Sequence, residues 1–190
     1  KIILGFLSAI KYLHSKGIAH GDIKPQNILL DSNLNAKLCD FGFCHTKIIE
    51  GNDAKRGTLL YAAPELLAKG EFNTLKTDIY SIGITIYAIN ELKLPYIRGD
   101  ADSIKKQIKK GELYIPKSIE RRLYELVVNC TKMDPLQRPN IEDVIESEYL
   151  IEITLNKLIK EKRYSEFEKM FISYTKLLLE NSNKKVNENI

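Results

Sequence analysis

Apolar residues open the chain at helical spacing. Ile3, Leu7, Ile10 and His14 recur at steps of three or four, which predicts a helix over residues 2–16, stopped by Gly17. Ile28–Leu30 and residues 36–39 read as short strands. The polar stretch Asp31-Ser-Asn-Leu-Asn35 between them suits a tight reversal. Residues 43–62 read as a loop. Helices are expected at about 64–69, 77–90, 101–110, 119–130 and 140–147, punctuated by Pro95, Gly99, Gly111, Pro116, Pro135 and Pro139. The pattern predicts an α+β fold, mostly helical, with a small β-ribbon.

From about residue 150 the character changes. Ser165 with Glu168 makes a capping-box signal, and Tyr164, Phe167, Phe171, Tyr174 and Leu178 form one apolar stripe on a helix. That stripe reads first as a helix docked on the main body and second as a seam for a protein partner or a dimer. Residues 181–190 are polar, rich in asparagine and lysine, and read as disordered. The expected organisation is a main domain over 1–148, a helical extension over 149–180 and a tail over 181–190.

Charge narrows the classes. The net charge of +4 is spread evenly, with 21 basic against 19 acidic residues in 1–150 and 8 against 6 in the remainder. That balance argues against a nucleic-acid face. Cys39, Cys44 and Cys130 are odd in number and unclustered, which indicates neither a disulfide framework nor a zinc site. The longest near-apolar run, Ile79 to Ile89, is about half the roughly 20 residues of a membrane span. It reads as a buried helix, and the whole as an intracellular, cytoplasmic protein.

Candidate chemistry concentrates in His20-Gly-Asp-Ile-Lys-Pro-Gln-Asn27, followed thirteen residues after Asn27 by Asp40-Phe-Gly42. A loose, highly charged phosphoryl-transfer transition state needs a group to orient the attacking oxygen, cations for the moving oxygens, and oxygen ligands to hold those cations. Asp22 can accept the hydroxyl proton and Lys24 can neutralise phosphoryl charge. Asn27 and Asp40 can supply hard oxygen ligands to Mg²⁺.

These residues resemble the catalytic loop and D-F-G segment of eukaryotic protein kinases. Gly57-Thr-Leu-Leu-Tyr61 leading into Ala63-Pro-Glu65 is similar to the end of the family's activation segment, which would span 43–62. Asp78-Ile-Tyr-Ser-Ile-Gly83 resembles the start of its central helix, whose aspartate bonds the catalytic-loop backbone. Arg138 matches the arginine that pairs with the A-P-E glutamate, here Glu65. The resemblance covers about residues 1–148 and implies ATP and Mg²⁺ as cofactors and a protein substrate. Leu29 would then form the adenine floor, with Cys39 at the back of the site and Phe41 and His20 in an apolar spine. Cys39 reads by itself as a plain buried hydrophobe.

Lys24 within Asp-x-Lys-x-x-Asn, together with Thr58, resembles the serine/threonine pattern, in which the threonine hydroxyl bridges the base and the lysine. Small-molecule phosphotransferases of kinase-like fold share His-Gly-Asp. They generally lack counterparts of Lys24, Thr58 and Glu65, so a protein substrate is favoured. Gln26 and Ala88 stand where many arginine-directed kinases carry acids. A scaffold with a degenerate catalytic site is the reading from another class, and the intact Asp22, Lys24, Asn27 and Asp40 argue against it.

Two departures matter. Gly21 stands where most protein kinases carry an arginine that binds activation-loop phosphate, and Thr46 is the only hydroxyl residue between Phe43 and Gly57. The resemblance therefore implies an enzyme whose loop is not ordered by phosphorylation. No glycine-rich phosphate loop and no Val-Ala-Ile-Lys-type lysine precede His20. The chain is thus expected to be the C-terminal lobe of a longer kinase, inactive or nearly so without its N-terminal lobe.

Overall fold

The computed structural model describes residues 2–46, 48–50, 57–68, 71–173 and 175. The chain divides into two compact units, Lys1–Ile145 and Glu146–Ile190. The first opens with α1 (Ile2–Ser15), whose buried face holds Ile3, Phe6, Leu7 and Ile10. Gly17 ends it at φ +69, a left-handed turn that a side chain would strain.

Among the described residues the strands form three two-stranded antiparallel ribbons. Strand β1 (Ile18–Ala19) pairs with β4 (His45–Thr46). Strand β2 (Ile28–Leu30) pairs with β3 (Ala36–Leu38), with Leu29 opposite Lys37. Strand β5 (Ile48–Glu50) pairs with β6 (Glu71–Asn73). The β2–β3 reversal is shaped by Asp31, whose Oδ1 accepts Asn33 N at 2.9 Å and Asn35 N at 2.8 Å.

The core is built around α2 (Thr74–Glu91), buried at every position from Thr77 to Tyr87. Burying an aliphatic or aromatic side chain contributes about 1.5–3 kcal/mol, so the buried isoleucines and tyrosines between Ile79 and Tyr87 contribute strongly to the stability of the core. It packs on α4 (Arg121–Cys130) through Gly83. A Cβ there would lie 2.7 Å from Cys130 Cβ and 3.0 Å from Thr131 Cγ2, so any side chain would push the two helices apart. Helix α3 (Ala101–Lys110) is capped by Asp100, which accepts Ser103 N, and ends at Gly111 with φ +68. Helix α5 (Ile141–Ile145) closes the unit.

Several elements differ from expectation: β4, β5 and a 3₁₀ turn, Leu59–Tyr61, lie within the loop expected at 43–62, and α4 and α5 are shorter than the helices expected at 119–130 and 140–147. Helix α2 begins at Thr74, three residues early, because Asn73 caps it by accepting Leu75 N at 3.0 Å. The helix expected at 64–69 is a 3₁₀ turn, Pro64–Leu67, with i+3 bonds such as Ala68 N to Glu65 O at 3.1 Å. Its expected last residue, Lys69, lies outside the described residues.

In the second unit α6 (Glu148–Lys160) buries Leu150, Ile151, Leu155 and Leu158. A further helical run covers 164–173. Ser165 falls inside that run and not at its cap: the Arg163 carbonyl accepts Phe167 N at 3.0 Å, and the Arg163 guanidinium pairs with Glu166. Phe167 and Phe171 stack with ring centroids 5.7 Å apart. Tyr174, Leu178 and residues 181–190 lie outside the described residues. Among the described residues no helix is long and apolar enough to cross a membrane.

Candidate active site

Residues 20–27 run as irregular backbone from β1 into a 3₁₀ turn, Pro25–Asn27. Irregular backbone in a core needs partners for its N–H groups. Asp78 of α2, only 1% exposed, accepts His20 N at 2.8 Å through Oδ2 and Gly21 N at 2.9 Å through Oδ1. His14 Nε2 donates to the same Oδ2 at 2.9 Å. One turn further along α2, Ser81 Oγ lies 2.8 Å from Tyr61 O and 3.2 Å from Thr77 O. Its single proton favours the shorter bond, which ties α2 to the segment after Thr58. Thr85 Oγ1 donates to Ile23 O at 3.4 Å. A polar stripe on an apolar helix thus holds the loop from below.

Buried His20 accepts Asp22 N on Nδ1 at 3.3 Å, so its Nε2–H donates to Cys39 O at 3.0 Å. Its ring meets Phe41 edge-on, with centroids 5.4 Å apart and planes at 62°. Next to it Gly21 sits at φ +80, where a Cβ would come within 2.4 Å of Phe43 O. Gly57, at φ +86, would in turn drive a Cβ to 2.8 Å from Gly21 O. Both ends of the segment 43–57 therefore close on the loop backbone at a point that only glycines permit.

Four predicted site residues meet in one hydrogen-bonded cluster. Lys24 Nζ lies 2.6 Å from Asp22 Oδ2 and 2.7 Å from Thr58 Oγ1. Thr58 N donates to Asp22 Oδ1 at 2.8 Å. Asn27 Nδ2 donates to Asp22 O at 2.7 Å and to Asp22 Oδ2 at 3.1 Å. Burial pushes the Asp22 carboxyl up, but hydrogen bonds from Lys24 and from the Thr58 side chain and backbone outweigh it, and its pKa is lowered. Asp22 is therefore ionised at neutral pH, and it lines a cleft together with Gly57, Thr58, Tyr61 and Leu66.

The other predicted residues lie at the rim. Cys39 N donates to Asn27 O at 3.0 Å and its Sγ lies 3.3 Å from the same oxygen, which sets Asp40 beyond Asn27. Asp40 is exposed, at φ 62 and ψ 69, a left-handed conformation that aspartate tolerates better than most residues. Leu29 is 55% exposed on β2. Cys39 is half-buried, so it is more accessible than a plain core residue.

Among the described residues no group of three or more His, Cys, Asp or Glu side chains could hold a metal by itself. One amide oxygen and one exposed carboxylate do suit Mg²⁺, which keeps several waters and binds through one or two protein oxygens plus substrate phosphates. Asn27 spends its amide nitrogen on Asp22, which leaves Oδ1 for that role.

Farther from the reacting groups, Arg138 is 2% exposed and all of its donors are used. Nη1 and Nη2 lie 2.6 and 2.8 Å from the two Glu65 oxygens, and Nε donates to Lys132 O at 2.8 Å. Nη1 also reaches Lys76 O at 2.9 Å and Nη2 reaches Met133 O at 3.3 Å. The guanidinium lies 5.1 Å from the Tyr80 ring centroid, a cation–π contact. The pair expected from sequence forms across 73 residues. Sequence reasoning missed His14 as a third donor to Asp78, and Ser81 and Thr85 as ties to the loop. Their only signal was polarity within an otherwise apolar helix.

The protein kinase domain family matches residues 1–150. The ovarian-specific serine/threonine-protein kinase Lok of Drosophila melanogaster is 36% identical over 176 residues, covering 86% of this chain and 36% of that protein. CBL-interacting serine/threonine-protein kinase 14 of Arabidopsis thaliana is 38% identical over 143 residues, covering 73% and 32%. The probable serine/threonine-protein kinase kinX of Dictyostelium discoideum is 32% identical over 192 residues, covering 98% and 17%. The chain thus spans about a third or less of the length of these curated relatives.

Proposed function

The chain belongs to the protein kinase family, and from that premise we propose that it moves the γ-phosphoryl group of ATP to serine or threonine hydroxyls of proteins. The supporting observation is the Lys24 ammonium lying between Asp22 Oδ2 and Thr58 Oγ1. A hydroxyl entering the cleft meets the Asp22 carboxylate. Its oxygen bonds to phosphorus as the bond to the leaving ADP oxygen breaks, and its proton passes to Asp22. A carboxylate with a lowered pKa is a weak base, so Asp22 orients the hydroxyl first and takes the proton late. Lys24 shields the transferring oxygens from Asp22, and Thr58 keeps Lys24 in place. Bound Mg²⁺ would spread positive charge over the phosphate oxygens, held by Asn27 and Asp40. Leu29 and Cys39 would face the nucleotide base from the rim.

The same reading takes residues 1–148 as the C-terminal lobe of a longer kinase domain. No glycine-rich loop or Val-Ala-Ile-Lys-type lysine stands among the nineteen residues before His20. The reading further holds that no loop phosphate is required, since Gly21 offers no cation to receive one.

The experiment is Asp22→Asn in the full-length enzyme. Turnover should fall roughly 10²–10⁴-fold, the scale of losing a positioned base, with ATP binding nearly unchanged. Wild-type-like phosphotransfer by the variant would overturn the assignment.

A further inference from the structure

Helix α2 begins with a threonine whose hydroxyl bonds outside the helix. Thr74 is 2% exposed, and its Oγ1 donates to Thr46 O at 2.8 Å, 28 residues earlier in the chain. The helix does not need that hydroxyl for its own start, because Asn73 already caps it by accepting Leu75 N. A buried hydroxyl is costly without a partner, so this bond fixes where the Thr46 backbone sits. Thr46 belongs to β4, which pairs with β1 just ahead of the catalytic loop.

Thr74 also falls in step with the other polar contacts of α2. Thr74, Asp78, Ser81 and Thr85 stand at steps of four, three and four, which puts them on one face of the helix. Asp78 and Thr85 hold the catalytic loop, at His20, Gly21 and Ile23. Ser81 holds the segment after Thr58 at Tyr61 O, and Thr74 holds the segment after Phe43 at Thr46 O. The two hydroxyl-bearing residues stand about 10 Å apart along the axis of one rigid helix. Backbone pairing adds to the first of these contacts. Strand β5 pairs with β6, with Ile49 opposite Phe72, and β6 runs straight into Asn73 and Thr74. None of these bonds involves a charged group, in keeping with a glycine at position 21. We propose that Thr74 is a positioning residue whose hydroxyl, together with the β5–β6 pairing, fixes the strands following Asp40-Phe-Gly42 on the start of α2 without a phosphate. It acts through the segment that joins Asp40 to Thr58 and not on the reacting groups. Its effect on turnover rests on the phosphotransfer reading above.

The test is amide hydrogen exchange, read by mass spectrometry, on the full-length protein and its T74V and T74S variants. Valine keeps the shape of threonine and removes the donor, whereas serine keeps the donor. In T74V the amides of β4 and β5 should exchange roughly fivefold faster, the scale of one neutral hydrogen bond, while those of Ile82–Tyr87 in α2 stay as in wild type. T74S should restore the wild-type pattern. Turnover of a serine peptide should fall by a similar factor in T74V and recover in T74S. Intact protection of β4 and β5 in T74V, or faster exchange spread equally through α2, would overturn the positioning role. So would protection of these strands that disappears from wild type on phosphatase treatment. If T74V loses the protection and T74S restores it, yet wild type transfers no phosphate to any serine or threonine peptide, the phosphotransfer reading fails and the assignment of Thr74 stands.

Discussion

On one side of the site Asp22, Lys24, Asn27 and Thr58 hold one another within hydrogen-bond distance, over a loop pinned by Asp78. On the other side Asp40, Phe41 and Leu29 face solvent. Under the proposed phosphotransfer, the contrast matches what each side would bind. A hydroxyl acceptor brings little charge or shape, so the protein supplies the order in advance. A nucleotide with its cation brings charge and ligands of its own, and an exposed carboxylate suffices to meet them. Substitutions beneath the pinned side should therefore cost stability along with turnover, while those on the open side should cost chiefly ligand affinity.

The largest stability loss is expected where the segment carrying Thr58 is anchored. Glu65→Ala and Arg138→Ala should each destabilise the first unit by roughly 3–5 kcal/mol, because each strands a desolvated charge. The double variant should cost less than their sum, and additive urea-unfolding energies across the cycle would show that the two charges act independently. Next comes Gly21. Gly21→Ala should cost about 1–3 kcal/mol, since it combines a left-handed backbone with an oxygen 2.4 Å from the new Cβ. Gly21→Arg should lower stability at least as much and should not activate the full-length enzyme, and phosphatase treatment should leave its rate unchanged. A large loss of activity on dephosphorylation, traced by mass spectrometry to Thr46 or Thr58, would contradict that.

A smaller, pH-dependent effect belongs to Asp22. Its folded pKa is depressed, so its stabilisation is complete above the unfolded aspartate value of about 3.9 and is lost only as pH falls through the folded value. Unfolding energies of wild type and Asp22→Asn should converge only at strongly acid pH; convergence already near neutrality would contradict the depressed pKa. The smallest effect on stability is expected on the open side. Asp40→Ala should lower the unfolding midpoint only slightly, through the left-handed backbone that alanine tolerates less well, while weakening MgATP binding to the full-length enzyme more than Asn27→Ala does. Calorimetric titrations in the reverse order would remove the distinction between the two sides.

Much of the fold was legible in the chain. Helix α3 follows directly from its cap, its apolar spacing and Gly111, all of which act within a few residues. The β2–β3 ribbon likewise comes from Asp31 and its immediate neighbours. The start of α2 was misread because the Asn73 cap outweighs the weaker apolar pattern at Thr74–Lys76. The site divides in the same way. Asp22, Lys24 and Asn27 lie on one short loop, so their residue types and spacing already marked them as candidates for an acceptor, a cation and an oxygen ligand.

Packing alone decided the rest. Thr58 reaches Lys24 across 34 residues, and Ser81 reaches Tyr61 across 20. The kinase resemblance could name Gly21 as a missing arginine, but only the folded backbone shows the Phe43 carbonyl occupying the space a side chain would need. The physical reason is range. Caps, turns and apolar periodicity act over a few residues and can be read along the chain. A hydrogen bond between distant segments, or a steric contact between two loops, exists only once a core such as that around α2 brings their backbones together.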